Sequence, residues 1–274
     1  MILSSRYQKC MICHVVCTNI INKELFMYKE FQGKAAIVTG GGTGIGRAIS
    51  IMLAKQGAAV AVIYSQSELD AQETTESIIR DGGQAIAIKA DVADESAVQA
   101  MINTVAEKFN GIDYLINNAG TTKQLQFDDL ESISDSIWDT ILDVNVKGTF
   151  HCCRYAAPYL RKRAGSAIVN VGSISGETGY GSSIPYAVSK SAIHGLTRSL
   201  ARALAPSIRV NCVAPGAVET RWWKGLEEKM RTLCTNLPLE RISTPEDVAE
   251  ITLMLLKAEA MTGQIIKIDS GQTL

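Results

Sequence analysis

From Lys34 onward the chain alternates between short apolar runs and amphipathic stretches. Ala35–Thr39 is an unbroken apolar run of the length that a strand buried on both faces requires. After a glycine-rich turn, Ile45, Ala48, Ile49, Met52 and Leu53 recur at helical spacing, and the pattern stops at Gly57. The same alternation predicts strands over Ala58–Tyr64, Ala85–Lys89, Ile112–Asn117, Ala167–Val171, Ile208–Val213 and Gln264–Asp269. Between them it predicts helices over Glu68–Arg80, Asp94–Phe109, Ser134–Arg163, Ser183–Ala205 and Thr244–Lys257. The long stretch to Arg163 contains Pro158, which should kink it or mark its last turns. Ser243-Thr-Pro-Glu is a strong start signal for the final helix. Seven strands alternating with helices imply one doubly wound parallel sheet with helices on both faces. No Pro/Gly/Ser tract divides the pattern, so one α/β domain over 27–274 is expected.

Composition narrows the function. A hydrophobic content of 46% is ample for a core. The net charge of −1 and the lack of any basic run argue against nucleic acid as a partner. No apolar stretch reaches the ~18 residues of a membrane span. The seven cysteines have no regular spacing, unlike a secreted disulfide framework, so a cytoplasmic protein is expected.

The chemistry concentrates at three places. The first turn, Thr39-Gly-Gly-Gly-Thr-Gly-Ile-Gly46, departs from the strict G-x-G-x-x-G fingerprint and offers Gly40, Gly44 and Gly46 instead. The physics is shared: glycine lets the backbone approach a pyrophosphate, and the following helix presents free N–H groups. The second strand ends Ile63-Tyr-Ser-Gln-Ser67, with no acid before Glu68. An acidic residue there would hold a ribose 2′-hydroxyl and repel a 2′-phosphate. A neutral, hydroxyl-bearing end at Ser65 favours NADP over NAD, although no arginine or lysine is evident to clamp the phosphate.

The third place is Ser173, Tyr186 and Lys190. Tyr186 and Lys190 are four apart, so on a helix they share a face. A neighbouring cation favours the phenolate of a group that otherwise titrates near ~10. Lowering that value would suit the tyrosine to proton exchange at neutral pH. Ser173, at the end of a strand, is placed to hydrogen-bond the same substrate oxygen.

Together these segments resemble the short-chain dehydrogenase/reductase family, over about residues 32 to 274. The resemblance rests on Thr39-Gly40…Gly44-Ile45-Gly46, Asp91-Val92, Asn117-Asn-Ala-Gly120, Asn145, Ser173, Tyr186-x-x-x-Lys190 and Pro215-Gly216, and on similar segments around Pro245-Glu-Asp-Val248 and Thr262-Gly-Gln264. Its closest flavour is the branch of β-ketoacyl-(acyl-carrier-protein) reductases. The resemblance implies a Rossmann-type fold and hydride transfer between NADP(H) and a ketone or secondary alcohol, with a 3-oxoacyl thioester as one candidate. It implies Tyr186 as acid or base, Lys190 holding the nicotinamide ribose and lowering the tyrosine pKa, and Ser173 stabilising the carbonyl oxygen. Asn145 would support a water linking Lys190 to solvent. Cofactor contacts would come from the turn residues Gly40, Thr43, Gly44, Ile45 and Gly46, from Ser65, and from Asp91 and Val92 beside the adenine. Asn118, Gly120, Pro215 and Gly216 would follow along the cofactor, with Val218 and Thr220 at its carboxamide. A homodimer or homotetramer is implied as well.

Other readings compete. A cofactor-sensing or scaffold protein on the same fold would have no need of Tyr186, Lys190, Ser173 and Asn145, yet all four are present. Taken alone, Asp91 could cap a helix, and Asn117 and Asn118 could be turn residues. His151 and His194 read as structural, and Cys152, Cys153, Cys212 and Cys234 as packing residues. The segment Glu219–Leu237 is charged, with few apolar anchors, and carries Trp222 and Trp223. It reads as a lid or a subunit contact. Lys123, Arg154, Arg161, Lys162 and Arg163 are candidates for a basic patch facing an acyl carrier.

Residues 1–26 stand apart, with three cysteines and no glycine. Cys10-Met-Ile-Cys13-His14 matches a haem-attachment pattern, and Cys17 is a further thiolate. No second ligand pair stands at finger-like spacing, so no metal is expected. The segment is expected to be a dispensable extension. A protein starting at Met27 should match the full chain in thermal midpoint and turnover, and lower values in either would refute this reading.

Overall fold

The apolar runs are strands because each must bury both faces, and each is followed by a helix that covers it. The computed structural model describes residues 29–274 apart from 224 and 226. Residues 1–28, with Cys10, Cys13, His14, Cys17 and Met27, lie outside the described residues, as do the side chains of Glu227, Lys229 and Arg231. The first half runs β1 (Ala35–Thr39), α1 (Gly44–Lys55), β2 (Ala59–Tyr64), α2 (Glu68–Arg80), β3 (Gln84–Lys89), α3 (Glu95–Lys108) and β4 (Tyr114–Asn117). The second runs α4 (Asp135–Leu142), α5 (Thr149–Leu160), β5 (Ala167–Val171), α6 (Ser175–Thr178), α7 (Ile184–Leu204), β6 (Arg209–Pro215), α8 (Glu227–Asn236), α9 (Pro245–Lys257) and β7 (Ile265–Ile268).

The sheet order is β3-β2-β1-β4-β5-β6-β7, all parallel. It is the doubly wound, Rossmann-type single domain that the sequence predicts. Strand alternation divides the core. Ala36 and Val38 of β1 pack with Ile49 and Leu53 of α1, Ile78 of α2 and Leu256 of α9. Ile37 faces the other way, toward Ile102 of α3, Cys153 of α5 and Leu200 of α7. Winding reverses between β1 and β4, where Ile37 pairs with Leu115. In an open sheet of this kind, the crevice at that reversal is where ligands bind.

Three elements differ from the sequence expectation. The long helix to Arg163 is divided by a π-helical turn, Asp143–Gly148, and Pro158 marks the last turns of α5. A π turn differs from an α turn in which carbonyl each N–H meets, a backbone choice that residue type does not announce. Helix α8 lies within the segment read as a lid; its sequence is mostly polar, and Met230, Leu233 and Cys234 make too short an apolar stripe to announce it. The short α6 has too few residues for any periodicity to show.

A buried polar thread fixes the second half to the first. Asn117 Nδ2 donates to Asn170 Oδ1 at 2.9 Å, and Asn170 Nδ2 donates to Thr197 Oγ1 at 2.9 Å. The thread joins β4 to β5 and β5 to α7. Asn117 is therefore a buried strand residue, not a turn residue. Replacing Asn170 with Ala removes two buried hydrogen bonds, leaving Asn117 Nδ2 with the Cys153 sulfur and Thr197 Oγ1 with the Ile193 carbonyl, at about 0.5–1.5 kcal/mol each. Asn170→Ala should lower the free energy of unfolding in urea by at least about 1 kcal/mol; an unchanged midpoint would refute the role given to this thread.

Candidate active site

Thr39, the last residue of β1, organises the reversal. Its Oγ1 accepts from the backbone N–H groups of Asn118 and Ala119, each at 3.0 Å. Asn118 Nδ2 in turn donates to the carbonyls of Thr39 (2.9 Å) and Gly40 (3.1 Å). The start of the glycine turn is thus stitched to the end of β4. Gly40 and Gly44 have φ of +62° and +49°, a region that strains other residues. A Cβ at Gly46 would stand 2.1 Å from the Gly40 carbonyl oxygen, so Gly46 serves the packing of α1 beneath the turn. Helix α1 begins with an extended Thr43 that makes no side-chain cap, and its first turn holds no acid. Its amino end is left to attract an anion.

Above this turn opens a cleft of about 1190 Å³. It runs from Gly40, Thr43, Gly44 and Ile45 past Ser65, Asp91, Val92, Asn118 and Gly120 to Ser173, Tyr186 and Lys190. Pro215, Gly216, Val218 and Thr220 form its far wall. Of the sequence-predicted residues, only Gly46 and Asn145 do not line it. Asp91 does not cap α3; Asp94 does, accepting from Ser96 N (2.8 Å) and Ala97 N (3.1 Å). A cradle of bare glycine backbone, an uncapped helix start without acids and an elongated groove ending at Tyr186 fit a nicotinamide dinucleotide.

Ser173, Tyr186 and Lys190 converge at the inner end. Tyr186 and Lys190 project from α7, entered through Ser183, whose Oγ accepts from Tyr186 N at 3.4 Å, with Pro185 in the first turn. All three are buried, Lys190 to 6% exposure. Ser173 Oγ accepts from Ser175 N at 3.1 Å and lies 3.4 Å from the Pro215 carbonyl oxygen, a long contact that the hydroxyl can exchange for a better acceptor. Lys190 Nζ donates to the Val171 carbonyl at 2.8 Å and lies 5.6 Å from the centre of the Tyr186 ring.

The electrostatics differ from the sequence expectation of an acidified phenol. Burial pushes Tyr186 up to about 12, and only its hydrogen bond with Ser173 pulls the other way. Burial also brings Lys190 down to about 8, with Cys212 opposing the shift. The ammonium spends its short bond on Val171, so desolvation outweighs its attraction for a phenolate.

Asn145 sits behind the site, in the π-helical turn, at 2% exposure. Its Oδ1 accepts from Thr121 N at 2.8 Å, and its Nδ2 donates to the Thr121 carbonyl (3.0 Å) and to Ser189 Oγ (2.9 Å). Ser189 Oγ donates onward to the Tyr186 carbonyl at 2.7 Å. Asn145 therefore ties the loop after β4 to the backbone that carries Tyr186. Ser189 and Thr121 escaped sequence reasoning because single small polar residues carry no pattern.

Trp222 also reaches the site, with its ring 6.1 Å from that of Tyr186, edge to face. Trp223 turns back, donating from Nε1 to the Val218 carbonyl at 3.0 Å. Leu233 and Asn236 of α8 line the same mouth, which supports the lid reading of this segment. Arg221 crosses to the end of β2, where Nη2 donates to Ser67 Oγ at 3.1 Å and Nη1 meets Asp70 Oδ2 at 3.2 Å. Sequence reading found no such cation because Arg221 is 154 positions from Ser67.

The remaining candidates are structural in position. His151 Nδ1 lies 3.3 Å from the Val92 carbonyl oxygen. His194 is buried, and burial lowers its pKa, with Arg198 and Lys190 adding to the effect. Cys153 and Cys212 are buried thiols pushed up to about 12 by burial. None of the five basic-patch candidates lines the cleft. Arg154 is paired with Glu95 and lies over Phe150 and Tyr155. Arg161, Lys162 and Arg163 follow α5 at the edge where β5 begins, opposite the cleft. Among the described residues no group of three metal-ligating side chains occurs, and no helix is long and apolar enough to cross a membrane.

Comparison with known proteins agrees with this geometry. A family model described as enoyl-(acyl carrier protein) reductase matches residues 40–273. The chain is 61% identical over 129 residues to the short-chain dehydrogenase/reductase homolog YusR of Bacillus subtilis, covering 47% of this chain and 100% of that protein. It is 37% identical over 242 residues to the 3-oxoacyl-(acyl-carrier-protein) reductase FabG of Staphylococcus aureus, covering 87% of this chain and 97% of that one. Among solved structures, a short-chain dehydrogenase of Burkholderia cenocepacia in complex with NADP superposes with a TM-score of 0.81 at 36% identity, over 88% of this chain and 98% of that one. With the sheet order, the glycine turn and the Ser-Tyr-Lys convergence already established, the chain belongs to the short-chain dehydrogenase/reductase family and is an oxidoreductase.

Proposed function

We propose that the protein transfers a hydride between NADP(H) and a ketone or secondary alcohol, and that Ser173, Tyr186, Lys190 and Asn145 carry the reaction. The observation that supports this best is the convergence of Ser173, Tyr186 and Lys190 at the buried end of a cleft floored by glycine backbone. The dinucleotide, when bound, supplies the hydride. The protein's part is positioning and proton delivery. Tyr186 gives its proton to the substrate oxygen in reduction and accepts one in oxidation; because burial holds it at about 12, a weaker acid than a free phenol, the transfer relies on Lys190 to stabilise the phenolate. Ser173 turns its hydroxyl from Pro215 toward the same oxygen, where negative charge develops. The Lys190 ammonium, 5.6 Å from the ring, stabilises the phenolate left after proton transfer. Asn145 acts through Thr121 and Ser189 as a positioning residue.

The preference for NADP rests on the hydroxyl-bearing, acid-free end of β2 and on the NADP bound to the Burkholderia relative. A 3-oxoacyl thioester is the first substrate to try, given the likeness to a 3-oxoacyl-(acyl-carrier-protein) reductase. The alternative of a cofactor sensor is disfavoured because the polar site residues are all present and brought together.

Tyr186→Phe should lower kcat by about 10²–10⁴, the usual worth of a positioned general acid. NADPH affinity should be nearly unchanged by fluorescence titration. Retained turnover would overturn the role given to Tyr186. Lys190 supplies a pH test. Its folded pKa, about 8, lies below the ordinary 10.5, so between these values the unfolded chain binds a proton that the native protein does not. Stability owed to this group should therefore rise with pH across that window. In urea titrations from pH 7 to 10, any stability advantage of Lys190→Met over wild type should shrink as pH rises. A constant difference would show that burial does not depress this ammonium.

A further inference from the structure

We infer that Arg221 is the residue that selects NADP(H), and that the segment after β6 delivers it, so that cofactor identity and coverage of the active site are set by one piece of chain. The inference rests on the cofactor reading above and extends it.

The end of β2 has the right polarity for a 2′-phosphate but no cation of its own. Among the described residues lining the cleft, the cationic side chains are Lys190 and Arg221. Lys190 is buried beneath β5 and bonded to the Val171 carbonyl. Arg47, on the adjacent face of α1, does not line the cleft and is bonded to Glu73 at 3.0 Å. Arg221 alone of these reaches the β2 end, where its two terminal nitrogens bracket Ser67 and Asp70. A guanidinium presents a planar fork of donors that matches a phosphate. Ser67 heads α2 without making a side-chain cap, so its hydroxyl is free to accompany the guanidinium. Arg221 and Asp70 are both largely exposed, which makes their ion pair weak and readily exchanged for a phosphate dianion.

The neighbours of Arg221 extend the consequence. Thr220 packs toward the glycine turn, 3.3 Å from where a Cβ on Gly44 would lie. Trp222 meets the Tyr186 ring. Three consecutive residues therefore touch the glycine turn, the ribose end of β2 and the proton donor. A phosphate held by Arg221 fastens this strip across the cleft.

The test is a set of binding titrations of NADPH and NADH on purified wild type, Arg221→Ala and Asp70→Asn. Arg221→Ala should weaken NADPH at least tenfold while changing NADH less than threefold. Asp70→Asn removes a competitor for the guanidinium and should leave NADPH binding equal or tighter. If Arg221 merely anchors the segment through Asp70, both variants will weaken both cofactors alike, and the inference falls. It falls equally if Arg221→Ala leaves the wild-type preference for NADPH intact, and in that case the NADP reading itself survives. A wild type that binds NADH as tightly as NADPH would sink both together, whereas the fate of the carbonyl-reductase reading depends on Tyr186→Phe turnover.

Discussion

The reversal of winding between β1 and β4 is the constraint on which the rest depends. Strands to either side carry their connecting helices to opposite faces, so the loops part at that point and leave a crevice. Thr39 holds the crevice in shape. One hydroxyl accepts two backbone N–H groups from the β4 end, and the Asn118 amide returns two bonds to the β1 end. Without that closure the glycine turn would have no fixed relation to the strand beside it. The floor of the cleft would then be a loop, not a template.

From this floor the site is assembled by burial as much as by contact. An ammonium and a phenol at the end of β5 are withdrawn from water, and both shift toward their neutral forms. Burial thus holds the phenol's proton more tightly, and the Lys190 ammonium lies 5.6 Å from the centre of its ring. The backbone that presents Tyr186 is held from below. Asn145 reaches Thr121 on one side and Ser189 on the other, from a π-helical turn that interrupts the helix between β4 and β5. Such turns are uncommon and are often found where a side chain must be re-aimed. Here the wider turn coincides with the residue that joins two separate loops.

The wall opposite the glycine turn is of another kind. The strip Thr220–Arg221–Trp222 belongs to the connection after β6, yet it meets Ser67 and Asp70 at the start of α2, Gly44 of α1 and Tyr186 of α7. Loops are where folds of this type vary their chemistry on a common scaffold. This strip carries the Thr220 methyl group, a guanidinium and an indole to three stations along one groove, and helix α8 continues the cover.

Much of this was legible in the chain itself. Alternating apolar runs and amphipathic stretches determined the number and order of strands, since a parallel strand shows itself as an apolar run and its covering helix as a 3.6-residue stripe. The glycine turn and the four-residue spacing of Tyr186 and Lys190 are local, so they too were readable. What only the tertiary structure decided is non-local or energetic. The guanidinium beside Ser67 comes from the far side of the cleft, and no linear pattern joins them. The links from Asn145 to Thr121 and Ser189 depend on how three loops meet. The upward shift of the Tyr186 phenol turned on desolvation, which exists only once the core has closed around the ring; spacing along a helix reports the neighbouring charge but not the water that folding removes.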